Sequence, residues 1–537
     1  MIWKSLISFI GLLSMLGCVS EPTYDVVIYG GTSAGISAAV QTARLGKKVI
    51  LIEPGSYLGG LTSGGLGATD IGNKAAIGGI SREFYRRVKE HYDRDDSWRQ
   101  QTRDSYQSNR QRSGEDTMWT FEPHVAEQIL REMINESGAE LVFRERLDLA
   151  NGVESDGARI SKIVMESGLS FAGRVFIDAT YEGDLMARSG VSYHVGREAN
   201  SQYNETLNGV QTRNAVYHQF RFPVDPYIVL EDTSSGLLPL LHGGSPGEEG
   251  SSDRRVQAYN FRLCLTDAAE NQIPFQKPPG YDPLDYELLF RNFEAGEDRI
   301  PWRNTPMPNR KTDINNYGAF SSDYIGMNYQ YPEADYETRA KIIEAHRYYQ
   351  MGLMWALANE PRVPDAIRKE VARWGLAKDE FVENGGWPHQ IYVREARRMV
   401  GEYVMTQQNC QGERVAPDPV GLAAYTMDSH NVQRYVHEGK ALNEGDVQVG
   451  DFPPYPIAYG SIIPKQEECT NLLVPVSLSA SHIAFGSIRM EPVFMVLGQS
   501  AAVAACQAIR EETTVQGIDR ATLVKTLLEM DQILEWK

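Results

Sequence analysis

An α/β fold with a buried parallel sheet is what this 537-residue sequence predicts, on three features. A strand, a glycine-rich turn, a helix and a second strand run without interruption over residues 24–53. A second glycine-rich loop occupies residues 57–67. An Ala-rich apolar stretch lies near the C-terminus, from Val493 to Ile509. The length suits two or three domain-sized units. Apolar residues make up 42% and charged residues 23%, which excludes a disordered chain and a collagen-like rod. With 53 Lys+Arg against 71 Asp+Glu, the net charge is −18. That balance argues against a nucleic-acid partner, because phosphate contacts need cations.

Met1 to Ser20 precede the fold. One cation, Lys4, is followed by an apolar run from Leu6 to Leu16, about half the length a membrane-spanning helix needs. The run reads as the core of a secretory signal covering residues 1–18. Leu16-Gly17-Cys18 is similar to a bacterial lipoprotein box, although Met15 departs from the usual aliphatic residue. The expectation is an exported cell-envelope lipoprotein (periplasm or outer membrane), tied to the membrane by an N-terminal lipid on Cys18. Cys264, Cys410, Cys469 and Cys506 form no CxxC pair, so a zinc ribbon or thioredoxin-type chemistry is not expected. Cys506 reads as a small core residue. A disulfide among the other three stays open.

Residues 24–53 read YDVVIYGGTSAGISAAVQTARLGKKVILIE. Val26 to Tyr29 is an apolar strand without polar alternation, as burial on both faces requires. Gly30, Gly31, Thr32, Ser33, Ala34 and Gly35 form the turn, and Ile36 to Leu45 continues as a helix. Val49 to Ile52 is a second buried strand, ending in Glu53. Gly30 permits the tight turn and Gly35 lets the helix approach the sheet. The helix N-terminus offers N–H groups to a pyrophosphate, and Glu53 suits the hydroxyls of a ribose. Together they predict a Rossmann-type dinucleotide site. Thr32 stands where the pattern has its middle glycine, and its Cβ is expected to shift the loop slightly.

Glu53 alone does not separate NAD from FAD. In YLGGLTSGGLG, Gly59, Gly60 and Gly64 would let backbone amides approach flavin phosphates or the ring. The segment resembles flavoproteins of the glutathione-reductase type, with Leu61 in place of their usual Arg. Val175-Phe176-Ile177-Asp178-Ala179-Thr180 is similar to the strand that returns the chain to the FAD domain in that group, which implicates Ala179 in cofactor binding. GSIRMEPVFMVLGQSAAVAACQAI, from Gly486 to Ile509, resembles the C-terminal helix that faces the flavin there, with a break expected at the cofactor-binding Gly498.

These segments, with TFEPHVAE, AYNFRLCLT and YVREARRMVGEYVMT, resemble the bacterial FAD-dependent oxidoreductase family, some of whose members are labelled "xanthan lyase". The resemblance spans nearly the whole mature chain. It implies FAD, a two-domain flavoprotein fold and redox chemistry, and an association with exported carbohydrate-degrading systems. The fold expected is therefore α/β: a Rossmann-type FAD-binding domain of the glutathione-reductase type with a mixed α+β substrate domain. The first part of the FAD domain covers 22–190, with a polar insert at about 90–118 read as a solvated loop or lid. The substrate domain covers 191–453, and 454–537 completes the FAD domain with its C-terminal helix. Helices are predicted over 81–94, 122–137, 335–359 and 364–374, and strands over 140–143 and 160–165.

Oxidation by flavin needs a base for the substrate proton. His482 is the first candidate, since an imidazole titrates in the useful range. Arg489 is the candidate for orienting an anionic group or offsetting charge on the reduced ring; a structural ion pair with Glu491 or another acid is the competing reading. Arg394, Arg397 and Arg398 are placed on a helix, sharing a face that would hold a carboxylate or form an ion-paired junction. Trp387, His389 and Tyr392 would line a sugar platform or simply pack. Asp70, Glu182 and Asp184 read as structural acids. No His/carboxylate group has metal-ligand spacing, so no metal is expected. The function expected is an FAD-dependent oxidoreductase taking hydride from a small polar substrate, a sugar or uronate from polysaccharide breakdown. A flavoprotein lyase or isomerase without net redox, and a non-catalytic FAD-folded glycan-binding lipoprotein, are the alternatives. With no second GxGxxG, the electron acceptor is expected to be a quinone, oxygen or a partner protein.

Overall fold

The computed structural model describes residues 23–112 and 114–537; the predicted signal and Cys18 lie outside them. β1 (Thr23–Tyr29) is covered on both faces, which is why its last four residues are all apolar and buried. It pairs in parallel with β2 (Val49–Glu53) and β6 (Ser170–Asp178), setting Val26 opposite both Val49 and Val175. β3 (Glu140–Phe143), β4 (Val153–Asp156) and β5 (Arg159–Val164) complete the order β3-β2-β1-β6-β5-β4. β4 and β5 run antiparallel at one edge. Leu472–Leu473 returns to pair in parallel with β6, so this sheet draws on both ends of the chain.

Three helices, α1 (Ser33–Arg44), α2 (Gly79–Tyr92) and α3 (Pro123–Ser137), bury their apolar faces in the same core as the helix Glu491–Glu511. The last of these has the length and apolarity of a membrane span, but it is entirely enclosed by the fold. It crosses α1 at Gly498, where a Cβ would stand 2.2 Å from the Ala34 carbonyl oxygen. Gly498 therefore serves helix packing, and the helix runs unbroken through the point where a break was expected. Gly498→Ala should lower unfolding stability by about 1–3 kcal/mol, read as a lower denaturant midpoint at unchanged slope.

A second core surrounds an antiparallel sheet. Its order is Trp302–Met307, Lys311–Asn316, Leu263–Thr266, Gly375–Ala377 and Gln272–Ile273. The helix Tyr336–Asn359 packs on it through Leu353 and Leu357, and its N-cap Asp335 accepts from the Thr338 N–H. A shorter helix follows at Asp365–Val371.

One expectation is corrected and two open points are settled by the contacts. The arginines near residue 395 lie on no helix: Arg397–Met399 is a strand antiparallel to Tyr193–Val195. Most of their acids come from distant segments: Arg394 pairs with Asp323, Arg397 with Asp184, and Arg398 with Glu198 as well as with the nearby Glu395. The shared anion-binding face is thus replaced by a buried, ion-paired junction. The four described cysteines are free and buried, which removes the disulfide. The polar insert is a largely exposed loop with two anchoring contacts. Arg110 donates to the Thr69 carbonyl, and the Tyr106 hydroxyl shares a 2.7 Å hydrogen bond with Thr120.

Candidate active site

Two cavities meet the glycine loops and the sheet-to-sheet junction. The first forms where β1 ends. The chain turns at Gly30 with φ of +105°, and a Cβ on Gly35 would lie 1.9 Å from the Gly30 carbonyl oxygen. Thr32 uses its hydroxyl twice, donating to the Ala179 carbonyl (2.7 Å) and accepting from the Gly35 N–H (3.3 Å) as N-cap of α1. The departure from glycine thus caps the helix. Gly59 N–H donates to the Gly31 carbonyl (2.8 Å), which ties the two glycine loops together. Gly64 backs onto Gln390.

Glu53 ends β2 facing this turn and accepts from the N–H groups of Gly31 (2.7 Å) and Gly55 (2.6 Å). Burial pushes its carboxyl up to about 7, against the hydrogen bonds that favour the ion. Gly30, Thr32, Glu53, Gly60 and Tyr181 line a cavity of about 340 Å³. Glu491, the first residue of its helix, lies behind Tyr181. Its carboxyl accepts from Ser33 (2.6 Å), Thr62 (2.8 Å) and Tyr181 (2.7 Å), and among the described residues no cation pairs with it. Burial raises its pKa.

The second cavity, of about 550 Å³, is walled by Arg299, Arg303, Tyr317, Tyr425, Asp428 and His430. Its floor is a chain of buried charges. Arg489 donates to the Tyr392 hydroxyl (2.8 Å) and to the Asp428 carbonyl (3.0 Å), and its guanidinium lies 3.3 Å from the Asp428 carboxylate. Asp428 Oδ2 stands 3.6 Å from His430 Nε2, and His430 Nδ1 lies 2.7 Å from Asp323 Oδ2. Burial works against the Asp428 ion, but His430 and Arg489 outweigh it and hold the carboxyl at about 2. His430 is raised: burial and Arg394 disfavour its cation, and the carboxylates of Asp323 and Asp428 prevail. Among the described residues, Arg262 Nη1, Arg394 Nε and Arg489 Nε are buried N–H groups without a hydrogen-bond partner, although Arg262 Nη1 lies 3.8 Å from the Asp70 carboxylate. Such donors are costly unless a ligand supplies acceptors.

The profile of FAD dependent oxidoreductases matches residues 25–527. The chain belongs to this FAD-dependent oxidoreductase family. No curated protein matches it. Among solved structures it is similar to L-amino acid deaminase from Proteus vulgaris, at 16% identity and TM-score 0.23 over 33% of this chain and 53% of that one. L-proline dehydrogenase from P. horikoshii matches at 14% identity and TM-score 0.24, over 33% and 59%. The 3-ketosteroid-Δ4-(5α)-dehydrogenase of Rhodococcus jostii RHA1 matches at 18% and 0.20, over 32% and 50%. The chain spans little more than half the length of these structures.

The residues present fit FAD, the cofactor of this oxidoreductase. Glu53 would hold the ribose and the first turn of α1 the pyrophosphate. Glu53 must ionise to accept two hydroxyls, so its charge is lost as pH falls through about 7. FAD retention on dialysis should accordingly be firm above pH 7 and weaken progressively below it.

His482 does not reach either cavity. It is buried at the start of the helix His482–Ile488, with Nδ1 2.7 Å from Glu395 and Nε2 3.0 Å from Ser429. Both ring nitrogens are thereby committed to the protein. Arg489 does sit at the junction, paired with Asp428 in place of Glu491. The aromatic platform disperses: His389 stacks on Tyr57 with ring centroids 4.1 Å apart, Trp387 is core, and Tyr392 lies between Arg394 and Arg489. Asp70 is held by Arg110 and Arg262, and Asp184 by Arg339 and Arg397. Glu182 accepts from the Tyr331 hydroxyl.

Glu122, His124 and Glu380 converge as metal ligands would. Lys311 already supplies the cation, with Nζ 2.7 Å from Glu122 and 2.6 Å from Glu380. Removing that ammonium leaves buried carboxylates uncompensated. Lys311→Met should cost about 3–5 kcal/mol of stability in thermal or denaturant unfolding.

Proposed function

We propose that the protein oxidises a small polyhydroxylated substrate, a sugar or uronate, in the cavity walled by Asp428 and His430. Bound FAD supplies the two-electron acceptor. His430 is the base that takes the proton of a substrate hydroxyl. Its Nδ1 is fixed by Asp323, which leaves Nε2 as the accepting nitrogen. Asp428, kept ionised, stabilises the imidazolium that results. Arg489 and Tyr392 brace Asp428 from behind.

The observation that carries this reading is the placement of His430 between two carboxylates in the wall of the larger cavity. The test is anaerobic titration of the purified yellow protein with sugars and uronates. Bleaching of the flavin band by at least one of them is the expected result. Glycan binding without bleaching would instead support a non-catalytic role. Export as a Cys18-lipidated envelope protein belongs to the same proposal, and Cys18→Ala should release the protein from membranes.

A further inference from the structure

We propose that the larger cavity selects a substrate bearing a carboxylate, and that Arg303 is the residue that binds it. The inference rests on the proposed reaction for its redox readout, but not for its binding.

In a chain of net charge −18, the cavity is walled by Arg221, Arg299, Arg303, His430, a single carboxylate, Asp428, and His218, whose Nδ1 lies 2.7 Å from Asp446. Asp428 is already answered by His430 and Arg489. Arg299 is clamped by Glu297 through Nε and Nη2, both at 2.7 Å, and Arg221 lies 3.2 Å from Glu297 and 3.1 Å from Asp298. Arg303 differs. Its guanidinium lies 4.7 Å from the centroid of the Tyr317 ring, and among the described residues no carboxylate pairs with it. With no acid against it, this exposed guanidinium can offer an N–H edge to a bidentate carboxylate.

The rest of the lining suits hydroxyl groups. Asn315 pairs with Arg303 across the hairpin, and Gln219 and Gln448 add further amides. Asn316 Nδ2, in the same wall, is buried without a partner. Tyr425 adds an aromatic ring to the lining, of the kind that packs against the C–H side of a sugar. A small polyhydroxylated carboxylate answers all of these groups, with its anion at Arg303 and its oxidised carbon toward His430.

The test uses the FAD-loaded protein and matched probes: glucuronate and galacturonate against glucose and galactose. Binding is read by calorimetry and by shifts in thermal unfolding, and redox chemistry by anaerobic bleaching. The carboxylated probes are expected to bind in preference to their neutral partners. Arg303→Gln should raise their half-saturating concentration roughly 10- to 100-fold, with Arg303→Lys between it and the wild type. Arg303-dependent binding of uronates without bleaching would uphold the carboxylate site and overturn the redox reading. Neutral sugars binding or bleaching equally well, with no effect of Arg303→Gln, would overturn the carboxylate site and leave the redox reading standing. Failure of both uronates to bind would also overturn the site.

Discussion

Gly35→Ala is expected to yield protein that is colourless or insoluble, with bound FAD per chain reduced at least tenfold. The added methyl would stand 1.9 Å from the Gly30 carbonyl oxygen, a backbone atom that cannot rotate away. Relief requires α1 to lift from the end of β1, and the helix N-terminus that meets the pyrophosphate moves with it. The flavin-to-protein absorbance ratio after gel filtration measures the effect. Thr32→Gly is the informative contrast. It restores the common glycine but removes an N-cap, so it should keep its colour at a cost of about a few tenths of a kcal/mol. Colour retained by Gly35→Ala would mean that the turn is looser than this geometry requires.

His430→Asn is expected to lower the limiting rate of anaerobic flavin reduction by about 10²- to 10⁴-fold while leaving the protein yellow. The residue lines the cavity remote from Glu53, so cofactor content should not change. Asp323→Asn should act through the same imidazole. It removes the carboxylate at Nδ1 that raises the pKa, so residual activity should persist to lower pH than in the wild type. A variant that loses flavin instead of rate would place His430 in the structural frame.

The dinucleotide end was legible because its parts are consecutive. Strand, turn, helix, strand and acid fall within residues 24–53, and each local preference agrees with the tertiary outcome. The reaction end is assembled from remote segments. Asp323 and His430 are 107 residues apart, and Asp428 and Arg489 are 61 apart, with no local pattern linking them. The segment Tyr425–His430 therefore carried nothing that separated it from an ordinary polar strand. His482 was favoured for its nearness in sequence to the flavin helix, but Ser429 and Glu395, brought in from elsewhere, occupy both of its nitrogens. Arg394, Arg397 and Arg398 mimic helical spacing, yet Arg397 and Arg398 form a strand decided by Tyr193–Val195 beside them, and Arg394 lies in the irregular segment before it. Glu491 was overlooked as a site residue. An acid heading an otherwise apolar helix was the available signal, and its three hydroxyl donors appear only in the fold.

The most direct test is the pH dependence of the limiting flavin-reduction rate, compared across the wild type, His430→Asn and His482→Gln. His430 accepts a proton only when neutral, and its pKa lies above the ordinary imidazole value. The wild-type rate should therefore climb with pH through an inflection above 6.5. His482→Gln should retain that limb, and His430→Asn should be slow and flat across it. A limb that survives in His430→Asn and vanishes in His482→Gln would contradict the assignment of the reaction to this cavity.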